Sequence, residues 1–192
     1  MLEEEYQQRR TLPPHLAPAP TPETPFEYTI RPAVATDLPH VREIYNHYVM
    51  NSTVTFDEAP MTLAELRKKF AKITEKRMPF IVAENPSGQL LGYAYVYPWK
   101  EKAAYRFTVE NSIYLGPAAT GKGLGRVLLS ELIDRSKDAG IKQIIAVIAD
   151  KGADASIAMH KKFGFKEIGH MGRVGFKFDR WLGTVLMQKS LK

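Results

Sequence analysis

The chain has 192 residues, 44% of them hydrophobic, which is the size and composition of one globular domain with a substantial core. It contains no cysteine, so a disulfide framework, a thiolate zinc site and a cysteine nucleophile are excluded, and no apolar run reaches membrane-spanning length. The formal charge is +6, and because residues 1–25 carry two arginines against four glutamates the remainder carries +8, a surplus that suits an anionic partner.

The acidic start, Met1-Leu2-Glu3-Glu4-Glu5, has no apolar stretch of the kind that marks a secretory signal and no basic face of a transit peptide, so a cytoplasmic location is expected. Six prolines, Pro13, Pro14, Pro18, Pro20, Pro22 and Pro25, predict a disordered tail over residues 1–25, followed by a single domain over 26–192. Phe26-Glu27-Tyr28-Thr29-Ile30-Arg31 alternates and predicts the first strand. Thr36 is placed to cap a helix with Leu38, Val41, Ile44, Tyr45 and Tyr48 on one face. Thr62-Leu63-Ala64-Glu65 reads as a capping box ahead of Leu66, Phe70 and Ile73. Phe80–Ala83 and Leu90–Val96 flank the turn Asn85-Pro86-Ser87-Gly88 and predict a hairpin. A strand over Arg106–Leu115 follows, then a glycine-rich turn and a helix ending near Gly140. Ile144–Ala149 is apolar without alternation, as in a buried strand. A short helix starting at Asp154 or Ser156 and two strands near Lys166–Arg173 and Thr184–Lys189 complete the order βααβββαβαββ, an α/β fold with a mixed sheet covered on both faces.

The turn Thr120-Gly121-Lys122-Gly123-Leu124-Gly125 carries the strongest functional signal. Strand, glycine turn, helix is the arrangement that binds phosphate, because glycines let backbone N–H groups face an anion and a helix start adds free N–H groups and the positive dipole end. The turn by itself serves structure as readily as it serves a ligand. A Walker motif is excluded, since no Lys-Ser or Lys-Thr stands at the required spacing, and the dinucleotide fingerprint fits poorly after two strands joined by tight turns. In simple alternation Thr108, Glu110 and Ser112 share one face of their strand, opposite Phe107, Val109 and Asn111, which makes Glu110 a candidate base. His160 is the candidate among five histidines, the other four showing no paired spacing, so no metal site is expected. Basic residues are scattered and no RNA-binding motif is present, so no nucleic-acid partner is expected.

Gly123-Leu124-Gly125 resembles the second half of the arginine/glutamine-x-x-glycine-x-glycine loop of the GNAT acetyltransferases. Thr120 departs from it, standing where that family carries glutamine or arginine. The order of elements over residues 26–192 resembles the GNAT order, and several stretches resemble the phosphinothricin acetyltransferases within it. These are Tyr45-Asn46-His47-Tyr48 with Ser52–Phe56, Pro98-Trp99-Lys100, Ala104–Tyr114, Met159–Phe165, and Gly175-Phe176-Lys177 with Trp181.

The resemblance implies a sheet of about seven mainly antiparallel strands. It implies acetyl-CoA as co-substrate, no metal, a homodimer, and direct transfer of acetyl to the amine of an amino-acid-like acceptor of the phosphinothricin or methionine sulfoximine type. The pantetheine arm would pair with backbone at Ile113, Tyr114 and Leu115, and the pyrophosphate would lie on Thr120, Gly121, Lys122, Gly123, Leu124, Gly125 and Arg126, with Ser156 nearby. Glu110 matches the family's proposed base and His160 a proposed catalytic group at the place of the thiolate acid. Ala153 stands where the family commonly has an asparagine that holds the CoA arm. Lys100, Lys102, Tyr105 and Arg106 would face the acceptor's acidic group, with Phe56, Lys177 and Trp181 as further wall residues contributed across a dimer. Three other functions stay open at this level: acetylation of protein N-termini or lysines, CoA binding without catalysis, and binding of nucleotides or nucleic acids.

Overall fold

The structure, a computed structural model, describes residues 26–192. The tail expected over 1–25 lies outside the described residues. The chain forms β1 (Thr29–Pro32), α1 (Leu38–Asn51), α2 (Leu63–Glu75), β2 (Phe80–Glu84), β3 (Leu90–Pro98), β4 (Thr108–Leu115), α3 (Leu124–Asp138), β5 (Gln143–Ala149), α4 (Asp154–Lys162), β6 (Lys166–Lys177) and β7 (Arg180–Ser190). The seven strands make one sheet in the order β1-β2-β3-β4-β5-β7-β6, antiparallel throughout except for β4 beside β5.

Each face of the sheet has its own core. Phe80, Val82, Tyr93 and Tyr95 pack against Leu38, Val41, Ile44, Tyr45 and Val49 of α1 and Leu66 and Ile73 of α2. Ile81, Ala83, Ala94, Val96 and Val109 pack against Leu124, Leu128, Leu129 and Leu132 of α3. The period-two alternation of β2 and β3 therefore feeds both layers, and both strands are nearly all buried.

Local signals explain most element boundaries. Thr62 Oγ1 accepts from the Glu65 N–H at 3.2 Å while the Glu65 carboxylate accepts from the Thr62 N–H at 2.8 Å, so the capping box closes as its residues require. Asn85 Oδ1 accepts from the N–H groups of Ser87 and Gln89, and Gly88 takes φ +81°, which fixes the β2–β3 turn. Thr36, expected to cap α1, instead lies in a short 3-10 turn. Asp37 leads α1, and its carboxylate is held by Arg31 at 2.7 Å and by the Val34 N–H at 2.8 Å. The first strand starts at Thr29, three residues later than expected, where pairing with Glu84 begins.

The last two strands are much longer than their sequence suggests. β6 and β7 continue to Lys177 and Arg180 and turn through Phe178 and Asp179, both at positive φ of 51° and 55°. That is the primed two-residue geometry whose twist suits a hairpin. Register shifts between Glu167 and Gly169 and between Met171 and Gly175 let the arm bend.

Candidate active site

The sheet opens at its one parallel pair. β4 meets β5 only over Thr108–Glu110 against Gln143–Ile145, whereas β4 pairs with β3 along its whole length, from Val109 opposite Pro98 to Leu115 opposite Gly92. The Gly116 N–H bonds the Leu91 carbonyl and the Trp99 N–H bonds the Thr108 carbonyl. By alternation, even-numbered residues of β4 turn their backbone to β3 and odd-numbered ones turn theirs to the opening. Ile113 and the Leu115 N–H thus face a side where no strand follows. The Leu115 carbonyl accepts from the Tyr48 hydroxyl at 2.7 Å. Tyr114, grouped with Ile113 and Leu115 by the resemblance, is a correction: its backbone lies in the β3 ladder opposite Tyr93, and its ring packs among Tyr45, Tyr48 and Tyr93. The close approach of β3 to β4 needs Gly92, where a Cβ would come within 2.9 Å of the Tyr114 carbonyl oxygen.

The opening leads to the glycine turn. Gly121 and Gly123 have φ of +74° and +81°, and a Cβ on either would meet nothing within 4 Å, so the turn needs glycine for its backbone and presents an open outer side. Gly123 precedes α3 with no side-chain cap, which leaves the first N–H groups of the helix without a side-chain acceptor. Leu124 is fully buried and anchors the turn from beneath. Arg126 is exposed in the first turn of α3, and the Lys122 ammonium lies 4.7 Å from the centre of the Phe26 ring. Thr120 spends its hydroxyl on the Pro117 carbonyl at 2.9 Å, so it offers that group to the turn itself. These groups fit a pyrophosphate and a peptide-like arm: N–H donors at one end, unpaired strand backbone along the other.

Glu110 sits at the inner end of this opening, opposite Tyr97 of β3, on the face covered by α1 and α2. Burial pushes its carboxyl pKa up, and Lys69 and Lys100 pull against that shift without cancelling it. A carboxylate so tuned is a better base near neutrality than an exposed one.

His160 lies on the other face. Its Nε2 is 3.0 Å from Asn111 Nδ2, its Nδ1 is 2.8 Å from the Ser156 carbonyl, and its ring meets Phe165 edge-on at 4.9 Å. A carbonyl only accepts, so Nδ1 carries the proton and Nε2 accepts from Asn111. Burial at 3% exposure lowers the imidazole pKa and keeps the ring neutral. This corrects the expectation of a thiolate acid: the one proton is held by Ser156, and Nε2 has none to give. Asn111, one residue beyond Glu110, was not singled out in the sequence; its Oδ1 is buried with no partner among the described residues.

A GNAT acetyltransferase domain model matches residues 30–186. The chain belongs to the GNAT acetyltransferases. It is 44% identical over 163 residues to the phosphinothricin N-acetyltransferase of Alcaligenes faecalis, covering 85% of this chain and 82% of that one. It is 39% identical to the L-methionine sulfoximine/L-methionine sulfone acetyltransferase of Pseudomonas aeruginosa, covering 85% and 94%. The structure of a GNAT phosphinothricin acetyltransferase from Sinorhizobium meliloti in complex with acetyl-CoA superposes with a TM-score of 0.81 at 46% identity, covering 85% and 88%.

Within this GNAT fold the acceptor residues expected from the sequence divide into two groups. Lys100, Lys102, Tyr105 and Arg106 lie exposed between β3 and β4, in and around a short 3-10 turn at Ala103–Tyr105 that leads into the Glu110 strand. Lys100 stacks on Trp99 at 4.7 Å, and Arg106 lies over Phe107 at 4.5 Å and bonds the Ala103 carbonyl. Lys177 behaves otherwise. It is 1% exposed, and its ammonium donates to the carbonyls of Ser52 at 2.8 Å and Thr55 at 2.9 Å. The expectation that it meets the acceptor gives way to a pin between the β6–β7 arm and the loop after α1. Phe56 rests on Gly175, where a Cβ would come within 2.5 Å of its ring, and Trp181 stays exposed beside Phe176. Ser156 contributes its carbonyl to His160, and Ala153 is a buried core residue before α4. Among the described residues no cluster of metal-ligating side chains forms, and no helix is long and apolar enough to cross a membrane.

Proposed function

We propose that this GNAT protein transfers the acetyl group of acetyl-CoA to the primary amine of a small amino-acid-like acceptor, of the class named for its phosphinothricin and methionine sulfoximine relatives. The observation that carries the reading is the short β4–β5 pairing, which opens the sheet between the glycine turn and Glu110. Acetyl-CoA supplies the acyl group as a thioester. The turn at Gly121–Arg126 holds the phosphates through backbone N–H groups, and Ile113 and Leu115 hold the arm as an added strand would be held. A free N–H on this stretch stabilises the carbonyl oxygen as the amine attacks. Glu110 takes the proton from the acceptor's ammonium, directly or through one water; the amine then attacks the thioester carbon, the C–S bond breaks as the amide forms, and CoA leaves as a thiolate that takes its proton from solvent. Lys100, Lys102, Tyr105 and Arg106 form the approach for the acceptor's acidic group, with Phe56 as a wall. Asn111 and His160 act as a buried pair that fixes α4 against β4.

The reading includes a homodimer and a cytoplasmic location, where acetyl-CoA is at hand. Support for the dimer comes from the edge strand β6 and its arm, which expose Ile168, Val174, Phe176, Phe178 and Trp181 together. The deciding experiment follows free thiol release from acetyl-CoA over a panel of amines. Turnover with methionine sulfoximine and phosphinothricin but not with polyamines or peptide N-termini is expected; turnover only with peptides would replace this reading with protein acetylation.

A further inference from the structure

The face of the sheet that carries Glu110 also carries a lysine with no assigned task. Tyr95 and Tyr97 of β3 stand opposite Ser112 and Glu110, so their rings flank the carboxylate on the α1/α2 side. Lys69 of α2 reaches over them: its ammonium is 3.4 Å from the Tyr95 hydroxyl, 5.5 Å from the Tyr95 ring centre and 6.0 Å from that of Tyr97. One turn along, Lys72 lies over the same Tyr97 at 5.1 Å but is neutralised by Glu101 at 2.6 Å. Lys69 forms no ion pair among the described residues. Glu110, half-buried on the same face and opposite the Tyr97 that Lys69 overlies, forms none among the described residues either.

An unpaired cation and an unpaired, partly desolvated anion on one face match the two charges of a zwitterion. An α-amino acid carries its ammonium and carboxylate on one carbon, so it can place the first at Glu110 and the second at Lys69. The tyrosines hold the lysine stem and limit the rotamer entropy lost when the ammonium binds. We propose that Lys69 binds the carboxylate of the acceptor and so presents the amine to Glu110. This assignment rests on the acetyltransferase reading above, and it adds a binding group from α2 to those on the loop before β4.

The test compares an amino-acid acceptor with its primary amide, which keeps the amine and removes the carboxylate charge. The pair is L-methionine sulfoximine and its amide, assayed with acetyl-CoA against wild type, Lys69→Gln and Lys69→Arg, with melting curves to confirm folding. A charge-assisted hydrogen bond of about 1.5–3 kcal/mol corresponds to a preference of roughly ten- to a hundredfold. In Lys69→Gln the ratio of kcat/KM for acid over amide should fall at least about tenfold, mostly through KM, while the loss of the Lys69 charge near Glu110 acts on both acceptors alike and cancels in the ratio; Lys69→Arg should keep most of the ratio. An unchanged ratio in Lys69→Gln overturns the role of Lys69 and leaves the acetyltransferase reading standing. Failure of wild type to acetylate either compound, with acetyl-CoA still raising the melting temperature, overturns the acceptor class and the inference together.

Discussion

Replacing Lys177 by methionine separates a structural pin from an acceptor ligand. Methionine keeps most of the stem's length and apolar contact but removes the ammonium that bridges the Ser52 and Thr55 carbonyls at 2.8 and 2.9 Å. Each charge-assisted bond is worth about 1.5–3 kcal/mol, and each stranded carbonyl costs about 1–3 kcal/mol if water cannot reach it. Part of this is returned, because a fully buried ammonium no longer has to be desolvated. A net loss of about 3 kcal/mol follows, and at about 2–4 °C per kcal/mol for a chain of this size the melting temperature should fall by about 6–12 °C. The loop over Ser52–Phe56 should loosen with it, so acceptor KM should rise while acetyl-CoA still stabilises the variant. Differential scanning fluorimetry with and without acetyl-CoA, alongside steady-state kinetics, reads all three. A variant that melts within about 2 °C of wild type yet loses acceptor binding would refute the pin and restore Lys177 to the acceptor site.

Gly123→Val meets no steric obstacle inside the protein, but it strains a φ of +81° and fills the open outer side of the turn; the thermal shift given by acetyl-CoA should vanish, and an undiminished shift would remove the turn from the cofactor site. Glu110→Gln should lower turnover by about two to four powers of ten at neutral pH, with the deficit shrinking as pH rises and the free amine becomes abundant. The same variant should melt higher than wild type at neutral pH, since burial raises the Glu110 pKa and ionisation there costs stability; the difference should close as pH falls below that pKa, and a lower melting temperature at every pH would contradict the burial argument. His160 titrates in the opposite sense. Its pKa is lowered, so the stability it lends is present above about pH 6.5 and is lost as pH falls through the folded value; His160→Phe should flatten that acid decline in the melting curve, and an equally steep decline would locate the titrating group elsewhere.

The sequence made the scaffold readable where a signal is local. The Thr62 box, the Asn85–Gly88 turn, the apolar run of β5 and the positive-φ glycines before α3 each act within a few residues of themselves. Readings failed where a partner lies far along the chain. Lys177 finds its acceptors 122 and 125 residues away, and nothing around it announces a buried ammonium. The β6–β7 arm extends beyond its sequence signal because Phe178-Asp179 lacks the asparagine or glycine that usually marks such a turn, and two bulges interrupt its alternation. Alternation placed Glu110 and Asn111 on opposite faces, but which helix covers each face depends on the sheet order, and with it the separation of Glu110 from His160.

The splayed stretch of β4 also sets a length. Five residue steps separate Glu110 from Leu115, a span of about 17 Å for an extended strand. On the proposed reading, a donor gripped at the glycine turn beyond Leu115 needs an arm at least that long to reach the carboxylate. On that reading the strand acts as a ruler for the donor. A small reactive thioester with no phosphate end has nothing to fix where along the strand its carbonyl stops, so intrinsic reactivity alone does not make it a substrate. An inserted residue in Gly116–Ala119 would shift the grip relative to the scale and misplace the acyl carbon while every residue that touches it stayed intact.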